Sequence, residues 1–272
     1  MKEITSLDEL KGIELDIMKK IHTFCVENDI KYYLAEGTLI GAIRHKGFIP
    51  WDDDIDIWMV RPEYERFMAT FDEYAKQHDL CIASNRTKPY MCRAFAKICD
   101  TRTIQFEPKY IDKDPRGVFV DIWPLDGYPN NKIHRILHQK KLLAEFGMLY
   151  ASLTKLDYIP EDQNKKRMLI KIFSKFDSQK ILRKYEKTCR KYKYEDSDYL
   201  FSGRPVCFFK KEWFSKQLLC DFEDAQFYVP NGYDELLRSR YGDYMKLPPV
   251  EQQKPHHVIV TYWKEDTDES IG

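Results

Sequence analysis

The segment Trp51-Asp52-Asp53-Asp54-Ile55-Asp56-Ile57 decides how this chain is read. Four carboxylates in five positions repel one another unless something neutralises them. Here they are wedged between a tryptophan and the apolar run Ile57-Trp58-Met59-Val60 rather than lying in a polar loop. On a strand, residues two apart point to the same face. Asp54 and Asp56 can therefore reach one cation while Ile55 and Ile57 are buried on the other side. Hard divalent cations such as magnesium or manganese take carboxylate oxygens together with substrate phosphates, which makes Asp-x-Asp at a strand end a signature of phosphate chemistry. The residues Ile55 to Val60 favour a strand, and Pro62 stands where a following helix would start.

Other readings use the same letters. An acid run is often a solvated turn, but the apolar flanks argue against that here. Asp52, Asp54, Asp56 and Glu63 occupy positions one, three, five and twelve of a calcium loop, yet position six is Ile57 where that loop needs glycine. Asp52-Asp53-x-x-Asp56 also matches the diphosphate motif of prenyl synthases. That motif requires a helix, and these flanks are β-formers with Pro50 just ahead.

Upstream, Gly37-Thr38 opens a short helix after the apolar stretch Ile30 to Leu34. Glycine lets backbone amides approach a phosphate, and a helix N-terminus points its positive end at the same place. Arg44, His45 and Lys46 lie between this turn and the acid run; they complete a phosphate clamp or form a basic surface turn. Downstream, Gly117-Val-Phe-Val-Asp-Ile-Trp reads as a buried strand whose only ionisable residue is Asp121. A lone buried carboxylate is tolerable when a cation or a general-base role compensates it, so Asp121 is the candidate third acid. Lys97 either faces a donor phosphate or stands at a solvent edge of its strand.

Further out, Ser6-Leu-Asp-Glu9 is a capping box, with a helix expected to about Glu27, and Tyr64, Phe67, Phe71 and Tyr74 mark the helix after Pro62. Strands are expected at 80–83, 93–98, 102–106 and 117–123, and long helices over Asn131–Thr154 and Lys165–Tyr192. A short helix is expected around Asp234 to Tyr241. Strands thus dominate the first half and helices the second. The pattern is a mixed α/β core over residues 1–128, followed by a mainly helical subdomain over 129–272 whose last segment returns to the core.

The chain has 272 residues, 43% of them hydrophobic, enough for a real core. Lys plus Arg balance Asp plus Glu at 44 each, so there is no overall positive field to collect nucleic acid. No apolar run is long enough to span a bilayer, and neither a signal nor a transit peptide is readable. The seven cysteines are scattered without a C-x-x-C pair and read as reduced, cytosolic core thiols.

The stretch from Leu34 to Ile57, together with Val120-Asp-Ile-Trp-Pro-Leu-Asp-Gly127 and Tyr241-Gly-Asp-Tyr-Met-Lys-Leu-Pro-Pro249, resembles the LicD family. The resemblance implies a nucleotidyltransferase-like fold. It also implies transfer of a phospho-alcohol, typically phosphocholine from CDP-choline, to a sugar hydroxyl of a cell-surface glycan precursor such as teichoic acid, lipopolysaccharide or capsule. Donors carrying phosphoglycerol or phosphoribitol belong to the same chemistry. Carried over residue by residue, it implies Gly37 and Thr38 as the phosphate-facing turn, Asp54 and Asp56 as metal ligands and Asp121 as the third carboxylate. Asp52 matches a further acidic position, and Asp121 or Asp52 would accept the hydroxyl proton.

A choline headgroup would sit against aromatic faces. Trp58, Trp123 and Tyr128 are near the acids in sequence but are read first as core. Over Lys165 to Phe176, Met168, Leu169, Ile172, Phe173 and Phe176 share one helical face with lysines around the rest. Such a helix packs on the core or lies on an anionic membrane, which would put the protein at the inner face of that membrane with a lipid-linked acceptor. His256 and His257 read as surface residues. A metal-binding scaffold without turnover is the competing reading of another class, and a hydrolase would use the same carboxylates.

Overall fold

A computed structural model of the chain describes residues 1–88, 91–106, 109, 116–203, 208–255 and 260–265. β1 (Lys2–Ile4) leads into α1 (Leu7–Glu27), where Ser6 Oγ accepts the Glu9 N–H as the capping box predicts. Its buried face carries Ile13, Ile17, Met18, Ile21 and Phe24. β2 (Tyr33–Leu34) and α2 (Glu36–His45) precede β3 (Ile55–Val60), which runs directly into α3 (Arg61–Gln77). Pro62 occupies the first turn of α3, where a missing N–H costs no hydrogen bond.

β4 (Leu80–Ala83), β5 (Ala96–Asp100), β6 (Thr103–Phe106) and β7 (Phe119–Tyr128) follow, then α4 (Lys132–Leu153), α5 (Asn164–Phe173) and α6 (Ser178–Cys189). The chain closes with β8 (Tyr199–Ser202), β9 (Phe208–Lys210), β10 (Gln217–Phe222), β11 (Ala225–Pro230), α7 (Tyr233–Tyr241) and β12 (Val260–Trp263).

The main sheet runs β2-β3-β7-β5-β4. β3 and β7 are parallel, in register from Ile55 opposite Val120 to Val60 opposite Leu125, and the other pairs are antiparallel. β7 is buried along its whole length and has two partners on its second side: β5 up to Ile122 and β8 from Leu125. Pro124, which has no N–H to donate, falls in the gap between them; this lets a proline lie in a central strand. β3 is likewise buried on both faces, Ile55 and Ile57 among its buried residues as expected, but it begins at Ile55, so Asp54 stands just before the strand and not on it.

α1 and α3 pack on each other, Phe24 against Phe67, Phe71 and Tyr74, and both contact β3 and β7. α4 and α6 enclose a second cluster built on Leu142, Leu149, Leu182 and Tyr185, against Tyr128 and Phe201 of the sheet. A three-stranded sheet, β1-β12-β6, ties the two chain ends together, and β10-β11 forms a hairpin beside α2 and β2. The largest hydrophobic cluster draws on residues from Ile4 to Tyr244.

Several expected elements differ. Lys165–Tyr192 forms two helices because Asp177 Oδ1 accepts the N–H groups of Gln179 and Lys180. That cap starts α6 afresh and ends the helical run before it. The strand expected at 93–98 lies at 96–100, and that at 117–123 continues to Tyr128. Among the described residues, five strands, β8 to β12, occupy the half expected to be helical. Of the cysteines, 25, 92, 99 and 189 are buried and 81 and 220 half-buried, none of these six in a disulfide; Cys207, His256 and His257 lie outside the described residues. Among the described residues no helix is long and apolar enough to cross a membrane.

Candidate active site

Three neighbouring strands place charges in one row. Asp56 on β3 stands opposite Asp121 on β7, and Asp121 stands opposite Lys97 on β5. Lys97 Nζ donates to Asp121 Oδ1 at 2.7 Å, with both side chains buried. One step along the same face, Trp123 Nε1 donates to Asp56 Oδ1 at 2.8 Å, and the Trp123 ring stacks on Phe95 with centroids 3.8 Å apart. Lys97 is thus no edge lysine. β4 covers β5 on its outer side, so the side chain is enclosed and lies 3.2 Å from the centre of the Phe119 ring. Trp123 is core, as expected, and in addition its indole holds the Asp56 carboxylate.

The acid turn precedes β3 and is held from several directions. Lys11 Nζ donates to the carbonyls of Ile49 and Pro50 at 3.1 and 2.9 Å, with burial lowering its pKa against the pull of Asp52. Thr38 Oγ1 accepts the Asp56 N–H at 2.9 Å, and the Ala35 N–H donates to the Asp56 carbonyl. Thr38 is therefore tied to the strand while Gly37 faces the acids. A Cβ on Gly37 would stand 2.5 Å from Asp52 Oδ2, so only glycine leaves that carboxylate its place. Behind the turn, Glu14 of α1 is buried with Oε2 unpartnered. Burial first, then Asp54, Asp53 and Asp52, push its carboxyl well above the usual range.

Two cavities meet this row. The first, about 570 Å³, is lined by Gly37, Asp52, Asp54 and Asp56, by Arg44 and Trp51, and on its far wall by Arg240, Tyr241, Asp243 and Tyr244. Arg44 reaches the carbonyls of Tyr244 and Lys246 and so fixes that wall to α2, whereas His45 and Lys46 do not line the cavity. Burial lowers the pKa of Arg44, and burial with Arg44 beside it lowers that of His45.

Glu36, at the start of α2, has a positive φ of 45°, an unfavourable backbone for a residue with a Cβ. Its Oε2 accepts Tyr241 Oη at 2.6 Å and pairs with Arg240. Burial, then Glu36, raises the Tyr241 phenol. Glu36, Arg240 and Tyr241 were not among the expected site residues, although Tyr241 opens the late motif, and their positions depend on α7 returning to α2.

The second cavity, about 270 Å³, lies on the Asp121 side, between the sheet and α4 and α6. Phe95, Trp123, Phe146, Tyr150 and Tyr185 form its walls, with Lys97, Asp121 and Arg93 as its charged groups. Trp58 is buried against Phe209, and Tyr128 belongs to the second cluster, the core positions expected of both.

The oxygens available suit a hard divalent cation. Among the described residues, one carboxylate oxygen from each of Asp52, Asp53 and Asp54 lies within 4.8 Å of the others, and Asp56 faces the same cavity. Asp121, one strand over, is paired with Lys97 and lines the second cavity. The structure therefore brings Asp52, Asp54 and Asp56 together around one cavity and sets Asp121 beside Asp56 at its boundary.

Residues 29–140 match the family described as LicD/FKTN/FKRP, nucleotidyltransferase domain. The chain is 36% identical to the lipopolysaccharide cholinephosphotransferase LicD of Haemophilus influenzae, over 96% of this chain and 99% of that protein. It is 35% identical to an uncharacterized protein of Rickettsia typhi over 49% of this chain and 41% of that one. To an uncharacterized protein of Rickettsia prowazekii it is 36% identical over 24% and 28%.

Proposed function

The chain belongs to the LicD family of phosphotransferases, and from that premise we propose that it transfers phosphocholine from CDP-choline to a sugar hydroxyl of a lipopolysaccharide-type glycan precursor. The observation that carries this reading is the meeting of acid turn, helix start and buried charge row at one boundary between two cavities.

The donor occupies the larger cavity. The backbone at Gly37 and the start of α2 face its diphosphate, with Arg44 on the same side. Magnesium or manganese would be held by Asp54 and Asp56, with Asp52 or Asp121 as third carboxylate, and would neutralise the diphosphate. Trp51, Tyr241 and Tyr244 offer aromatic faces beside carboxylates, an environment that suits a quaternary ammonium.

The smaller cavity takes the acceptor sugar, whose C–H faces stack on Trp123 and Phe95. Its hydroxyl attacks the phosphorus of phosphocholine, the new O–P bond forms, the bond to the CMP phosphate oxygen breaks, and the hydroxyl proton passes to Asp121 or Asp52.

Calorimetry with magnesium, comparing CDP-choline, CDP-glycerol, CDP-ribitol and CMP, tests the donor. Selective binding of CDP-choline, weakened at least about a hundredfold in Asp54→Asn with an unchanged melting temperature, is expected. Preference for another CDP-alcohol reassigns the donor. Magnesium binding with no nucleotide affinity would leave a metal-binding scaffold.

A further inference from the structure

The acid-base balance of the chain is not spread evenly. Residues 131–176 hold ten Lys and Arg against four Asp and Glu, while the whole chain is neutral. Within this segment α5 buries one side only: Ile170 packs with Ala151 and Ile159, and Phe173 closes on the same cluster. The rest of the helix presents Met168, Leu169 and Ile172 to solvent, and Phe176 follows in the turn before α6, each about half exposed. Lys165, Lys166, Lys171 and Lys175 are exposed around them.

We propose that this surface of α5 and the following turn docks the protein on an anionic lipid bilayer, without entering it as a span. Three large apolar side chains on a ten-residue helix and a fourth in the turn after it, ringed by lysines, match the interfacial helix that inserts its apolar side at the headgroup boundary while its ammonium groups meet lipid phosphates. A protein partner fits less well, because lysine is depleted in protein–protein interface cores and its long stem snorkels naturally toward headgroups.

The position of the surface gives it a use. α5 lies against the C-terminal part of α4, whose Phe146, Leu149, Tyr150 and Leu153 line the smaller cavity. Lys166 Nζ is 5.6 Å from the centre of the Tyr150 ring. Docking through α5 therefore holds that cavity next to the bilayer, where an acceptor carrying a lipid is presented. The docking itself stands independently of the donor and acceptor assigned above.

Sedimentation of the full chain with vesicles of phosphatidylcholine alone, and of phosphatidylcholine mixed with phosphatidylglycerol, tests this. Binding to the anionic vesicles only is expected. It should weaken about fivefold for each of Lys165→Gln, Lys171→Gln and Lys175→Gln, and be lost in Met168→Glu/Ile172→Glu. Because these side chains face solvent, the melting temperature should not move, and that measurement accompanies each variant. Absence of binding to either vesicle overturns the proposal, as does binding that survives the double glutamate variant at full strength. A concentration-dependent dimer abolished by that variant, with no vesicle binding, would assign the surface to a second copy of the chain.

Discussion

Asp56 and Asp121 are neighbours on parallel strands, yet they are neutralised in opposite ways. Asp121 has its counter-charge built in, Lys97 on the next strand. Asp56 is met by the indole N–H of Trp123 and shares its cavity with Asp52 and Asp54, and Glu14 adds a fourth acid behind them. One carboxylate is paired within the sheet; the other faces a cavity with two further carboxylates, whose oxygens suit a hard cation. Neighbouring carboxylates in one sheet thus meet different partners, set by what the adjacent strand supplies.

The sharpest way to break this contrast is to remove each partner in turn. Lys97→Met leaves Asp121 buried without its cation and should cost about 3–5 kcal/mol of stability, read as a large fall in denaturation midpoint. Adding Asp121→Leu should restore most of it, since an apolar pair can replace a buried ion pair. Asp56→Asn should leave stability nearly unchanged, because an amide oxygen still accepts from Trp123. If Lys97→Met unfolds at the wild-type midpoint, the two carboxylates do not differ as described.

A smaller effect separates the two cavities. Among the described residues, the acid side alone is lined by a non-glycine at positive φ, Glu36 at 45°, which pairs with Arg240 and Tyr241. Glu36→Gln keeps an acceptor for Tyr241 but loses the carboxylate charge that pairs with Arg240, and should raise the KM for the donor about tenfold with a lesser change in kcat. Glu36→Gly should relieve the backbone but strip Arg240 and Tyr241 of their buried partner, lowering stability and weakening donor use further. A variant that moves kcat alone would detach the Glu36 contact from donor positioning.

Much of this was legible beforehand because it is local. The capping box at Ser6, the strand after the acid run, Pro62 at a helix start and the buried strand around Asp121 each follow from a few adjacent residues and a period of two or 3.6. The later strands were not legible. β10 has Leu218 and Leu219 exposed, and its hairpin turns at Glu223 and Asp224, with Glu223 at positive φ, instead of at a glycine. The far wall of the acid cavity was hidden for another reason. Arg240 and Tyr241 lie about two hundred residues from Glu36, and nothing in a helix of exposed charges announces which of them turns inward. Lys97 was ambiguous because whether its strand is central depends on β4, a partner that pairing decides and sequence spacing does not.

Trp123 is the element common to both sides, and replacing it should have the smallest effect. Its indole N–H bonds Asp56 while its ring, stacked on Phe95, forms a wall of the aromatic cavity. Trp123→Phe keeps most of the stacking and removes the hydrogen bond, a change of about 1 kcal/mol, or roughly fivefold in transfer rate. Its direction is informative. If Asp56 acts only through charge, the freed carboxylate should bind magnesium as tightly as before and the loss should appear in kcat. If the indole also sets the orientation of Asp56, magnesium affinity should fall by the same factor. A loss confined to the KM for the acceptor would place the working part of Trp123 on its ring and move the boundary between the cavities to the Asp56 side.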